Sequence, residues 1–165
     1  MHNANIVIRP LEHTDAVQLR QNCFPINTLE EIQSQIATSL QAFAEGKVVP
    51  LVAEADGKVV GSITLQRHLH RLRMHRAEVG GLVVHSPYQG QGIARRLLDE
   101  CRRWAQSMGI QILELSCRGG EPAEQVYRNL GFQEYGRLPR GLIEPTPEHN
   151  IFDEVYFYQM IHGTE

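Results

Sequence analysis

The sequence predicts a mixed α/β fold, one central sheet of about seven strands flanked by about four helices, as a single domain over residues 1–165. Three observations carry this. An Asp56-Gly57 turn separates two apolar, alternating runs, a strong short-range hairpin signal, so the sheet begins antiparallel. A long amphipathic stripe stands between two apolar strand runs, so a strand–helix–strand crossover over 79–117 adds a parallel pair. Strand and helix periodicities alternate along the whole chain, with no internal repeat and no low-complexity linker.

"NIVIRP" (5–10) reads as a short opening strand that Pro10 ends. Helical spacing follows over about 14–23. The next helix has Thr28 as N-cap and Glu31 three residues on, a capping box; Leu29, Ile32, Ile36, Leu40 and Phe43 share one face, and Gly46 stops it. "VPLVAEADGKVVGSITLQRH" (49–68) supplies the hairpin. "HRAEVGGLVVH" (75–85) is a further strand, and Gly80-Gly81 in its middle marks a bulge or a close backbone approach. Ile93, Leu97, Leu98, Cys101, Ala105 and Met108 form the stripe of the long helix, with Gly109 as its C-cap. "QILELSC" (111–117) is a strand and "PAEQVYRNL" (122–130) a short helix stopped by Gly131. "QEYGR" (133–137) is a strand, "RLPRGLIEPTPEHN" (137–150) a loop, and "FDEVYFYQMI" (152–161) the last strand.

Hydrophobic residues make up 42% and charged residues 21%, with a net charge of -3, so the chain reads as soluble and its field favours neither nucleic acid nor an anionic membrane. No basic segment followed by an apolar stretch opens the chain, and no run approaches the ~20 apolar residues of a membrane helix, so a cytoplasmic protein is expected. Cys23, Cys101 and Cys117 are scattered and odd in number, which fits thiols in a reducing compartment. The histidines of "RHLHRLRMHR" (67–76) lack cysteines or paired carboxylates at ligand spacing. The expectation there is no metal, and a basic loop that is either merely solvated or faces an acidic substrate.

Chemistry concentrates in "HSPYQGQGIARR" (85–96), a glycine-rich entrance to the long helix. The first amides of a helix lack intrahelical partners and carry the positive end of its dipole, so such an end attracts phosphate. Gly90 and Gly92 allow the backbone to approach an anion closely. A P-loop would need Lys-Ser or Lys-Thr where Ile93-Ala94 stands, and a dinucleotide fingerprint would need a small residue at Arg95.

The stretch resembles instead the acyl-CoA-binding signature of the GNAT acetyltransferase superfamily, Gln/Arg-x-x-Gly-x-Gly/Ala, with Gln89, Gly92 and Ala94 at its defined positions. "AEQVYRNLGF" (123–132) is similar to that family's Ala-x-x-x-Tyr-x-x-x-Gly-Phe element, with Ala123, Tyr127, Gly131 and Phe132 matching. The resemblance implies the GNAT fold, with its fourth and fifth strands splayed around acetyl-CoA from about Gly80-Gly81. It also implies that backbone groups of Leu82, Val83 and Val84 meet the pantetheine amides. The pyrophosphate would rest on Gln89, Gly90, Gln91, Gly92, Ile93 and Ala94, with Arg95 assisting. Many members carry an Asn where this chain has Gly120; Arg118 and Glu121 are the neighbouring polar candidates to replace it.

By the same resemblance Tyr127 is the general acid near the cofactor sulfur, the competing reading being a helix residue whose hydroxyl caps a local network. Glu78 is the general base, the competing reading being a solvated carboxylate beside Arg76. His85 reads as a polar turn residue and Cys117 as a core residue. The implied function is an acetyl-CoA-dependent N-acetyltransferase acting on a primary amine, without an enzyme-bound acyl intermediate. A small-molecule amine is the expected acceptor, since 75–100 together with "GRLP" (136–139) is similar to a small-molecule resistance branch containing the tabtoxin acetyltransferase. The acceptor is expected in the groove between the two N-terminal helices and the loop 137–150, whose Arg140, Glu144, Glu148 and His149 would select it. A protein amine, or a sensor domain that binds acyl-CoA without turning it over, remains open. The resemblance also implies a homodimer in which the last strand pairs across the interface.

Overall fold

The computed structural model describes residues 4–161, so the ends of the expected domain, 1–3 and 162–165, lie outside the described residues. Its strands are β1 (Ile6–Pro10), β2 (Val48–Ala55), β3 (Lys58–Arg67), β4 (Arg76–Val84), β5 (Ile112–Arg118), β6 (Gln133–Ile143) and β7 (Ile151–Met160). Its helices are α1 (Ala16–Asn22), α2 (Leu29–Ala44), α3 (Ile93–Ser107) and α4 (Pro122–Asn129). All seven strands join one sheet in the order β1-β2-β3-β4-β5-β7-β6, and β4–β5 is its parallel pair. The mixed α/β architecture read from the sequence is therefore the one observed.

Local signals explain most elements. Asp56 (φ 50°) and Gly57 (φ 80°) both take the left-handed conformation that a two-residue hairpin turn requires, and the β2–β3 ladder closes at Ala55–Lys58. The α2 capping box forms as expected: Thr28 Oγ1 accepts from the Glu31 amide (3.2 Å) and Glu31 Oε2 from the Thr28 amide (2.9 Å). The helix expected over 14–23 divides into a 3-10 turn at His13–Asp15 and α1. Buried Asp15 explains the division. Its carboxylate accepts from the Glu12 amide (2.8 Å) and receives both Arg9 Nη atoms (2.8 and 2.7 Å), so the entrance is fixed by a partner on β1.

Alternate residues of β2 sort the two faces of the sheet. Leu51, Ala53 and Ala55 pack with the α3 stripe, whereas Val52 packs with Ile32 and Ile36 of α2 and Leu19 of α1. α3 buries Ile93, Leu97, Leu98, Cys101 and Ala105, and Trp104 meets Phe43 edge-on at 5.5 Å. On the other face α1 and α2 pack on β3 and β2.

Two expectations are corrected. The segment 137–150 is not all loop, because β6 continues to Ile143. Pro139 and Gly141 are tolerated there because β6 is an edge strand and its register against β7 breaks between Leu138 and Leu142, with Arg140 at φ 58°. β7 cannot pair across a dimer, because β5 and β6 occupy both of its edges.

Candidate active site

β4 and β5 are paired only over Arg76–Glu78 against 112–114; beyond Glu78 the β5-facing edge of β4 has no strand partner. On the other edge the register jumps from Thr64–Gly80 to Ser62–Val83, which inserts one extra residue into β4 at the glycine pair. Gly81 sits at φ 59°, and Ser62 Oγ donates to its carbonyl (3.0 Å). The extra residue switches faces. Ala77 and Val79 look into the α3 core and so do Leu82 and Val84, while Val83 packs toward α1 and α2.

Beside the unpaired edge lies a cleft of about 510 Å³ that brings together Leu82, Val84, Gln89, Gly90, Gly92, Ile93, Ala94 and Tyr127. Tyr88, Ala123 and Val126 complete its lining. The spacing of Ala123, Val126 and Tyr127 places them on one face of α4, a legible signal, and Tyr88 directly precedes the signature. Gly92 is the N-cap of α3 in the left-handed conformation (φ 79°) and no side chain caps the helix. Its first amides are therefore left for an external acceptor. A Cβ built at Gly90 or Gly92 would meet nothing within 4 Å, so the space in front of this backbone is open. The donor set and the room fit a diphosphate.

The remaining site residues lie outside the cleft lining. Gln91 is exposed, and Arg95 donates to the Asn129 carbonyl (3.2 Å), tying the start of α3 to the end of α4. The Gln89 side-chain Nε2 donates to the Val84 carbonyl (3.0 Å), so that carbonyl already holds one bond within the chain, and the Gln89 backbone N–H is held by the Ser86 carbonyl (3.2 Å).

Tyr127 is held between Phe132 (ring centroids 6.1 Å) and Phe157 (6.1 Å). Its hydroxyl has no hydrogen-bond partner among the described residues. Burial, and secondarily Cys117, pushes its pKa above the ordinary tyrosine value of 10.0. Ionic pairs set the position of its helix. Glu124 pairs with Arg137 and with Arg128 (3.7 Å), and Glu134 closes the ring to Arg128 (3.0 Å) and Arg137 (2.9 Å). Glu124 Oε2 also accepts from the Gly120 amide (2.5 Å), where the chain turns at φ 77°. The two polar neighbours expected to replace the missing Asn stand differently, since the Glu121 side chain makes no cap bond whereas Arg118 is engaged. Arg118 is paired with Glu144 (2.5 Å) and lies over the Phe152 ring (5.2 Å), and Glu121 is the N-cap residue of α4.

Glu78 is exposed on the opposite face and makes no hydrogen bond or ion pair among the described residues. Arg76, its expected neighbour, pairs instead with Glu114 (Nε–Oε2 2.9 Å), as does His68 Nε2 (3.0 Å). Burial raises the Glu114 carboxyl, but Arg76 and then His68 outweigh it and hold it below the usual carboxylate range. Register places Gln66, Glu78, Glu114 and Tyr158 side by side on this face. Next to them Tyr135 stands 6.1 Å from Tyr156 and 5.8 Å from Tyr158, while Tyr156 donates to Glu154 (2.8 Å). The sequence offered no local cue for this polar and aromatic surface, because only the pairing of four strands assembles it. Closer to α1 and α2, a cavity of about 120 Å³ beside Gly81 includes Leu19, Phe24 and Ile32 in its lining. No helix among the described residues is long and apolar enough to cross a membrane.

The acetyltransferase (GNAT) family pattern matches residues 14–132. The chain is 29% identical over 96 residues (58% of its length) to N-alpha-acetyltransferase 30 of Schizosaccharomyces pombe, and 37% identical over 84 residues (51%) to N-alpha-acetyltransferase RimI of Mycobacterium tuberculosis. These matches span 64% and 51% of the two relatives. A putative acetyltransferase of Salmonella typhimurium, solved with its cofactor acetyl-CoA, shares the fold at a TM-score of 0.79 and 18% identity, over 96% of this chain and 95% of that one. With the strand splay and glycine cradle lying inside the matched segment, the chain belongs to the GNAT acetyltransferase family.

Proposed function

We propose that the protein is an acetyl-CoA-dependent N-acetyltransferase that acetylates a primary amine by direct attack. The observation that carries this is the cleft, an apolar channel beside an unpaired strand edge, bounded by a helix start with no side-chain cap and by a tyrosine whose hydroxyl has no partner among the described residues. Bound acetyl-CoA would supply the thioester. The backbone amides of 90–94 suit its pyrophosphate, with Gln89 and Arg95 alongside, and the open edge at Leu82, Val83 and Val84 suits its pantetheine amides.

Two protons must move. The attacking amine loses one, and the departing thiolate gains one. Glu78 is the last β4 residue paired to β5, at the apex where the strands part, and it accepts the amine's proton directly or through water. Tyr127, on the other side of the sheet, remains protonated at neutral pH and donates to the sulfur. Base and acid then flank the opening from opposite faces, so the two transfers do not compete for one site.

The sequence points to a small-molecule amine. Two relatives named as N-alpha-acetyltransferases, and a polar and aromatic face assembled from four strands, support the α-amine of a polypeptide instead, and this is the acceptor we assign. The single sheet supports one acetyltransferase domain over 1–165, and free thiols at Cys23, Cys101 and Cys117 support a cytoplasmic setting. Incubation with acetyl-CoA and a panel of peptide, polyamine and small-molecule amines, with free thiol followed, tests the reading. Release with at least one amine is expected; saturable coenzyme binding without release for any amine would make the protein a sensor.

A further inference from the structure

The turn between β3 and β4 collects more positive charge than any other stretch of this net-acidic chain. Residues 67–76 hold four arginines, three histidines and no carboxylate. Two of the arginines are used internally: Arg67 bonds the Met108 carbonyl and Arg76 bonds Glu114. Arg71 and Arg73 are exposed and have no partner among the described residues. Leu69 (63% exposed) and Leu72 (71%) stand beside them. The turn is built rather than slack. Arg73 N bonds the His70 carbonyl (2.8 Å), Arg76 N the Arg73 carbonyl (2.9 Å) and Leu72 N the His70 ring (3.2 Å). Both of its ends are fastened to Glu114, by His68 and by Arg76, on the same face as Glu78.

From these observations we infer that Arg71 and Arg73 form a docking site for acidic residues of the acceptor polypeptide, downstream of the amine that is acetylated. The inference rests on the acetyltransferase reading and specifies its substrate. Charge along this face runs from the unpaired carboxylate of Glu78 to the unpaired guanidiniums of the turn. A peptide with its amine at Glu78 and carboxylates further along has the opposite polarity and matches it. Two strand residues separate Glu78 from the turn, roughly 7 Å at about 3.3 Å each, and the turn adds a similar length. The acidic group therefore belongs about 10–15 Å from the amine, or roughly three to five residues along an extended chain. Leu69 and Leu72 add apolar contact for such a peptide. The turn has no Phe, Tyr or Trp, the broad stacking platforms of single-strand binders, which disfavours single-stranded nucleic acid.

The test compares two hexapeptides with free N-termini, identical except for Glu or Gln at positions four to six, in the full chain and in an Arg71→Gln/Arg73→Gln variant. Thiol release at saturating acetyl-CoA gives kcat/KM, and fluorescence anisotropy of labelled peptides gives binding independently of turnover. The acidic peptide is expected to be preferred about three- to tenfold, the scale of one or two exposed ion pairs. That preference should collapse toward one in the double variant and fade in high salt. Equal use of the two peptides, or a preference that survives the double substitution, would overturn the inference. So would Arg71- and Arg73-dependent retention on phosphatidylserine vesicles without peptide selectivity, which would make the turn a membrane contact. If no amine is acetylated, the acetyltransferase reading falls, while selective binding of the acidic peptide would still uphold the docking site.

Discussion

Gly92 is the sharpest probe of the proposed coenzyme cradle, because the chain contains a matched control for it. Gly92 (φ 79°) and Gly46 (φ 74°) have almost the same left-handed backbone, and a Cβ at either would meet nothing within 4 Å. Alanine at each position therefore costs only conformational strain, about 1–2 kcal/mol. For a chain of 165 residues that corresponds to a fall in Tm of roughly 2–8 °C. The strain exists with and without ligand, so it cancels from Kd. Only Gly92 faces the cleft, where its Cβ would hold a phosphate away from the α3 amides. Loss of one charge-assisted hydrogen bond, about 1.5–3 kcal/mol, weakens binding roughly 10- to 100-fold. Calorimetric melting and titration with coenzyme A should show similar Tm losses for Gly92→Ala and Gly46→Ala but a binding loss for Gly92→Ala alone. Equal affinity in the two variants would refute the cradle, and an unchanged Tm in both would refute the strain argument.

Tyr127→Phe should lower kcat by about 10²-fold or more while leaving Tm nearly unchanged, because the hydroxyl bonds nothing among the described residues; a large Tm loss would show an unrecognised structural role. The acid function proposed for Tyr127 requires a protonated phenol and would be lost as pH rises through its raised pKa, so its alkaline limb should lie above pH 10.0. A decline centred below that pH, present in the parent and absent from Tyr127→Phe, would contradict the assignment. Glu78→Gln should reduce kcat by about 10²-fold or more with little change in coenzyme affinity; unaltered kcat would remove Glu78 from the mechanism. Burial pushes Cys23 up to about 11 and Cys101 up to about 12, so a thiol reagent at pH 8 should label half-buried Cys117 first, as read by peptide mass mapping. Earlier labelling of Cys101 in the folded protein would contradict the packing of α3.

Sequence patterns were most informative where structure is set by residues a few positions apart. The Asp56-Gly57 turn, the Thr28–Glu31 box and the α3 stripe are local devices, and each forms as read. The glycine pair of β4 also announced its bulge, because little else explains two glycines inside an apolar strand. What local pattern concealed is set by partners far along the chain. Pro139 and Gly141 imitate a loop, and only the edge position of β6 permits a strand through them. Glu78 and Arg76 stand two residues apart on one strand, yet Arg76 is drawn to Glu114 on β5, which leaves Glu78 unpaired among the described residues. The surface containing Tyr135, Tyr156 and Tyr158 exists only once β4, β5, β7 and β6 are in register.

The same division runs through the proposed acid. A motif identifies Tyr127, but α4 has eight residues, too few to be stable by propensity, and its N-cap makes no side-chain bond. Residues outside the motif hold it. Arg137 and Glu134 of β6 complete the ionic ring with Glu124 and Arg128. At the far end Arg102 of α3 donates to the Leu130 carbonyl (2.8 Å). Gly131 turns away there at φ 95°, where a Cβ would come within 2.5 Å of the Gln159 amide on β7. These contacts account for Gly120 as well. Its amide is committed to Glu124, inside the assembly that places the helix. An asparagine at this left-handed turn would add a side chain without taking over that backbone bond. The family motif therefore points to the proposed acid, whereas two arginines and two glutamates tie the helix that carries it to β6.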